Sequence, residues 1–297
     1  MTSKTKEKDA VAPAPADKNG FSLICNEKLL DIYFTMLRCR MLAERTRILA
    51  MERNLTCDAS AAIGHEATAV GAVIDRLPED TLVSSPGDLA PCFIHGLPLE
   101  ALFRGFFHPV APEFEMVARL KIATDAAVAN KLNKSSGIAF VVSAEELASS
   151  GPLLEALSFA GLNSLPMIFV SRKTMPPEPP VVESPTKKNG IDLKTEACAF
   201  PAIAVDGSDA VAVYRVAHEA IAHARMGHGP TLIECLTDGS NPADPILNME
   251  KYLIRKGLFT EELKTEVIGG FSRELDAALE AASACPSSNP STRLASC

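Results

Sequence analysis

Ile138-Ala-Phe-Val-Val-Ser143 runs directly into Ala144-Glu-Glu-Leu-Ala-Ser-Ser-Gly151, and that turn into Pro152-Leu-Leu-Glu-Ala-Leu-Ser-Phe-Ala-Gly-Leu162. An apolar run without polar alternation is the pattern of a strand covered by helices on both faces, and the segment after the turn has helical spacing. Similar runs recur at 166–171 (Pro-Met-Ile-Phe-Val-Ser), 201–205 (Pro-Ala-Ile-Ala-Val) and 230–235 (Pro-Thr-Leu-Ile-Glu-Cys). The prediction is an α/β fold with one mainly parallel sheet flanked by helices. In such a sheet a phosphate is held at the strand-to-helix turn, because backbone N–H groups converge at the helix start. Close approach to a phosphate needs glycine, and a metal there needs oxygen ligands. This turn has the adjacent carboxylates of Glu145 and Glu146 and no glycine before Gly151. The frame of a phosphate site is present without its usual chemistry.

Outward from this unit, helical periodicity predicts a long amphipathic helix over about Asn26–Arg53, with Leu30, Tyr33/Phe34, Leu37, Met41 and Ile48 on its apolar face. A second helix follows Gly64, with Ala67, Val70, Ala72 and Val73 buried, and a third spans Pro98–Phe107. Asp209 is the expected cap of a helix whose Ala210, Val213, Ala217, Ile221 and Ala224 share a face, stopped by Met226-Gly-His-Gly-Pro230. About Asp244–Ala284 is again helical. The Pro-rich segment 175–190 is expected to be a surface connector, because its early prolines forbid a helix. Residues 1–20 and 285–297 are expected to be mobile tails around a single domain, 21–284.

Composition narrows the function classes. The 297-residue chain is 47% hydrophobic and 22% charged, which places its bulk among globular proteins. A net charge of −8 with no basic block argues against nucleic-acid binding. No apolar run is long enough for a membrane span and no segment has the pattern of a signal peptide, so the expected location is cytoplasmic. The eight cysteines are scattered without a C-x-x-C pair and are expected to be reduced core residues.

Few polar residues suggest chemistry by themselves. Asp88, in Ser-Ser-Pro-Gly-Asp, and His65-Glu66, after Gly64, sit at the edges of apolar elements, where a helix cap or a surface contact is the commoner role. His218-Glu-Ala-Ile-Ala-His223 has one residue too many for the zinc motif H-E-x-x-H, and positions five apart on a helix diverge too far to share a metal. No G-x-S-x-G, P-loop or G-x-G-x-x-G occurs, so no catalytic residue is assigned.

In order, however, the chain resembles the alpha subunit of the thiamine-diphosphate-dependent 2-oxo acid dehydrogenases, the pyruvate, branched-chain and acetoin family. Leu37-Arg-Cys-Arg-Met-Leu-Ala-Glu-Arg45 is similar to that family's first helix, and Ile63-Gly-His-Glu-Ala-Thr-Ala-Val-Gly-Ala72 to its I-G-Q-E-A-x-x-V-G-A signature. Gly96-Leu-Pro-Leu-Glu-Ala-Leu102, Val205-Asp-Gly-Ser-Asp209 and Gly229-Pro-Thr-Leu-Ile-Glu234 follow. Asp244-Pro-Ile246 and Tyr252-Leu-Ile-Arg-Lys-Gly-Leu258 complete the series. The resemblance implies a thiamine-diphosphate-binding-type fold, thiamine diphosphate and Mg²⁺ as cofactors, and a beta-subunit partner in an α2β2-type or homo-oligomeric assembly. The helix Gly64–Val73, rich in small residues, is the expected contact.

Departures from the family concentrate where it binds its cofactor. The diphosphate-binding Tyr-Arg-Asp-His stretch aligns with Pro86-Gly-Asp-Leu89 and keeps only Asp88. The turn facing the aminopyrimidine falls at Phe114-Glu-Met-Val117, after a connection, 108–113, much shorter than the family's glycine-rich loop. The magnesium motif G-D-G…N-N falls on Ala144-Glu145-Glu146, with Ser149 at an intermediate position and Lys173-Thr174 at its end. The family's His-bearing loop after Leu-Ile-Glu is missing, Gly239–Asp244 leading straight to the next helix. Residual cofactor-binding positions are Asp88, Glu145 and Ser149, with Glu145 the residual metal ligand, and an ion pair of Lys173 or Arg172 with Glu145 or Glu146 is expected in the metal's place. Thiamine diphosphate carries about three negative charges, which the family offsets with Mg²⁺, Arg, His and backbone N–H groups. The expectation is a degenerate alpha-subunit homologue without cofactor, acting as a structural or regulatory partner. The alternatives are an active subunit in oxidative decarboxylation and a stand-alone binding module.

Overall fold

Among the described residues five strands form one sheet, all parallel, in the order β1-β2-β3-β5-β4. They are β1 (Thr81–Ser84), β2 (Ala139–Ser143), β3 (Met167–Met175), β4 (Ala202–Asp206) and β5 (Thr231–Asp238). The helices are α1 (Asn26–Glu52), α2 (Glu66–Val73), α3 (Leu89–Ile94), α4 (Leu99–Phe107) and α5 (Pro112–Asn133). After β2 come α6 (Gly151–Leu162), α7 (Ala210–Arg225), α8 (Pro245–Arg255) and α9 (Glu261–Ala284). The structure, a computed structural model, describes residues 24–53, 62–85, 88–107, 112–143, 151–175, 200–240 and 242–284. The expected tails 1–20 and 285–297 lie outside these, as does most of the Pro-rich connector.

The apolar runs form a sheet buried on both faces. Phe140, Val142, Ile168, Val170 and Ile233 meet α2 and α7 on one side. Ala139, Val141, Met167, Phe169 and Leu232 meet α5 and α6 on the other. This period-two division is the reason a strand between two helical layers needs apolar residues at every position. A third layer, α1 with α8 and the start of α9, packs outside α2 through Leu29, Ile32, Tyr33, Met36 and Leu253. Asp80, just before β1, helps set the β1–β2 register: it accepts a hydrogen bond from Ile138 N at 2.9 Å and one from Arg225 Nη2 at 2.6 Å.

Several local expectations are corrected. β4 is an edge strand with Ala202, Ala204 and Asp206 exposed, so its apolar run does not mark a strand covered on both faces. In α1 the buried face runs through Leu29, Ile32, Tyr33, Met36 and Leu42, while Ile48 is 43% exposed. β1 and α5 are elements that the sequence pattern does not predict, and Phe114–Val117 lies inside α5, with Met116 in the core, rather than in a turn. The C-terminal helical region divides at Gly257, whose φ of +69° is the left-handed conformation glycine adopts at a helix end.

The structure also corrects the role expected of α2. All eight of its residues are buried within the chain. A Cβ on Gly71 would stand 3.0 Å from Val213 Cβ and 3.1 Å from the Ala210 carbonyl oxygen, so the small residues admit α7 of the same chain, not another subunit.

Candidate functional site

The carboxyl ends of β1, β2 and β3 lie side by side, with Ser84 in register with Val142 and Ser143 with Ser171. This is where an open parallel sheet places its ligands. Beyond β1 the chain turns through Ser85 to Asp88, the cap of α3: Asp88 Oδ1 accepts from Ala90 N at 3.4 Å. The Asp88 backbone carbonyl accepts from Ser84 Oγ at 3.3 Å, and its N–H donates to the Ser85 carbonyl at 3.1 Å.

Arg172 follows Ser171 on β3, and alternation places it on the α2–α7 side with Ile168 and Val170. Its guanidinium reaches past β2 to Asp88. Nη2 stands 3.0 Å from Asp88 Oδ2, with side-chain exposures of 5% and 4%. The N–H directions do not aim at that oxygen, so the contact is coulombic and not a hydrogen bond. A second buried guanidinium, Arg119 of α5, donates to the Ser84 carbonyl at 3.4 Å. Lys173 alternates to the opposite face of the sheet, beside Leu236 in register. Beneath Arg172, burial pushes the Cys235 thiol up to about 12 against smaller opposing effects of the Thr68 hydroxyl and the Arg172 charge, so it stays protonated.

Of the predicted positions, then, Asp88 is placed at the carboxyl edge, and Lys173 ends the same edge. Glu145, Glu146 and Ser149 lie outside the described residues, and with them the expected metal position and its ion pair. Among the described residues no three His, Cys, Asp or Glu side chains converge as a metal site would require. The sequence does not predict Arg172 and Arg119 as partners of Asp88 and Ser84. A basic residue closing the apolar run Met167-Ile-Phe-Val-Ser171 is the sequence signal for Arg172.

Glu66 belongs to a different centre. Its side chain, 1% exposed, takes a forked contact from Arg40, Nε to Oε1 at 2.5 Å and Nη2 to Oε2 at 3.0 Å. The same guanidinium holds Asp244, which caps α8 through Ile246 N at 2.9 Å. Glu66 therefore joins α1, α2 and α8 rather than facing a ligand. His218 pairs with Asp75 at 3.0 Å and stacks on Tyr214, as a surface contact between α7 and the end of α2. Cys39, Cys92 and Cys235 are buried, free thiols, as expected, whereas Cys25 is exposed.

The sheet order, the carboxyl-edge site and the helical layers are those of an α/β cofactor fold, and residues 110–291 match the dehydrogenase E1 component. The chain belongs to that family. Its relatives include the pyruvate dehydrogenase E1 component subunit alpha of Staphylococcus aureus (strain Mu50), 28% identical over 293 residues, covering 87% of this chain and 79% of the relative. The subunit of the same description from Staphylococcus epidermidis (strain RP62A) is 27% identical with the same coverage. This is an alpha-like member of the E1 family, which depends on thiamine diphosphate and whose alpha subunits pair with beta subunits. Among the described residues no helix is long and apolar enough to cross a membrane.

Proposed function

We propose that this chain is a subunit of an E1-type assembly that supplies fold and pairing surface rather than cofactor chemistry, as a structural or regulatory partner of a beta-type subunit. The observation that carries this reading is the end of β3, where Arg172 is buried against Asp88 and Lys173 follows it. Magnesium takes hard oxygen ligands in near-octahedral geometry. A protonated lysine has no lone pair to offer and repels the ion. Asp88 has one oxygen on the α3 amide and the other against Arg172. Recruiting it to a cofactor would take that counter-charge away from a buried guanidinium. The described part of the edge thus does not fit a magnesium-bound diphosphate, and no reaction step is assigned to it.

In this reading residues 21–284 act as one dehydrogenase-alpha-like unit in the cytoplasm, in an α2β2-type or homo-oligomeric assembly. Family membership favours a second reading, an active subunit performing oxidative decarboxylation of a 2-oxo acid through a relocated site. The two separate when the chain is purified with its beta homologue and titrated calorimetrically with thiamine diphosphate and Mg²⁺. The non-catalytic reading expects a stable hetero-oligomer by light scattering and no heat of cofactor binding. Micromolar uptake, or 2-oxo acid-dependent turnover lost on chelation, refutes it.

A further inference from the structure

Asp88 and Arg172 belong to elements that are not sheet neighbours. Asp88 follows β1, Arg172 lies on β3, and β2 runs between them. Neighbouring strands lie ~4.8 Å apart, so β1 and β3 are separated by roughly 10 Å, a gap that the long arginine side chain helps to bridge. The 3.0 Å contact therefore straps the β1–α3 turn to β3 over the end of β2. Arg119, coming from α5, holds the last carbonyl of β1 at the same edge. Two fixed cations from different elements converge on one turn, and both are buried.

We infer that Arg172 is the resident cation of this edge. Its guanidinium ties Asp88, at the start of α3, to β3, a cation fixed in the chain at the edge where the family resemblance implies a cofactor and its metal, so this tie holds without thiamine diphosphate or magnesium. The cofactor-independent reading above explains why such a tie exists; whether it exists is a separate matter. A guanidinium keeps its charge at any physiological pH and is covalently part of the chain, so neither chelation nor dilution removes it. Its electrostatic weight comes from burial: the partners see a low effective dielectric, and removing Arg172 takes the facing cation from the buried Asp88 carboxylate.

The test uses the full chain and three variants, Asp88→Asn, Arg172→Met and their combination. Asn keeps an oxygen to cap α3 at Ala90 N and loses only the charge facing Arg172; Met keeps much of the buried stem. Arg172→Met is expected to lower Tm by roughly 6–20 °C and Asp88→Asn by less, though by more than about 2 °C, and the double variant to fall clearly less than the sum. Amide exchange over Leu89–Ile94 should accelerate in both single variants. Single shifts below about 2 °C, or shifts that simply add, overturn the tie. Should a single variant fail to fold, the wild-type chain still decides: exchange over Leu89–Ile94 that speeds up on chelation with EDTA, or slows on adding Mg²⁺ and thiamine diphosphate, overturns it. Strong coupling in a chain that nevertheless takes up cofactor supports the tie and refutes the non-catalytic reading. Additive variants in a chain that takes up none refute the tie alone.

Discussion

Replacing Arg40 with Met is expected to destabilise the chain more than any other single change at the α1–α2–α8 junction. Arg40 is the cation shared by Glu66 and Asp244, but the two carboxylates stand in different surroundings, with side-chain exposures of 1% and 36%. After Arg40→Met, Glu66 keeps only the Gly64 amide, at 3.1 Å from each oxygen, among its described hydrogen bonds. An uncompensated buried carboxylate costs about 3–5 kcal/mol. Asp244 can take water instead and retains the amides of Ile246 and Leu247, so its share is about 0–1 kcal/mol. The sum, about 3–6 kcal/mol, corresponds to a fall in Tm of roughly 6–24 °C. Arg40→Lys keeps the charge but loses the fork and should fall between wild type and Met. Asp244→Asn, which retains its capping oxygen, should cost about 1 kcal/mol or less. Urea unfolding followed by far-UV circular dichroism, with scanning calorimetry beside it, reads all three. An Arg40→Met cost below about 1 kcal/mol, or an Asp244→Asn cost equal to it, would refute the claim that burial of Glu66 sets the magnitude.

Two further outcomes follow from the same packing. Burial opposes ionisation of Asp75 and Asp244, but Tyr214, His218 and Lys28 at the first, and Arg40 with two amides at the second, outweigh it and hold both below the ordinary carboxylate value. A depressed folded value means that their contribution is present above the unfolded pKa of about 3.9 and is lost as pH falls through the lower folded values. Asp75→Asn should therefore flatten the loss of Tm below about pH 4, and an unaltered acid limb would count against it. At the α2–α7 crossing, Gly71→Ala should destabilise by about 1–3 kcal/mol despite alanine's higher helix propensity, because its methyl group meets Val213 at 3.0 Å. The effect should shrink in a Val213→Ala background, and a stabilised Gly71→Ala chain would show that the helices separate freely.

The features legible in the sequence are those whose cause is local. Three apolar runs became the central parallel strands β2, β3 and β5 because a strand between two helical layers must be apolar on both sides, and Ala210, Val213, Ala217, Ile221 and Ala224 became one buried face because helical spacing brings them together. Asp88 and Asp209 cap helices, as short polar side chains at such boundaries do. The four residues of β1 are too few for periodicity to register, and an edge strand such as β4 has the same apolar letters as a central one. Only the tertiary structure decided which charges meet: Arg40 with Asp244 across 204 positions, and Arg172 with Asp88 over an intervening strand. Sheet order sets those encounters, and it depends on how whole helical layers pack, a property carried by no single stretch of the chain. Glu66, in the midst of a family signature, illustrates the difference, since its position was readable from the sequence but its role was set by the guanidinium that folding brought against it.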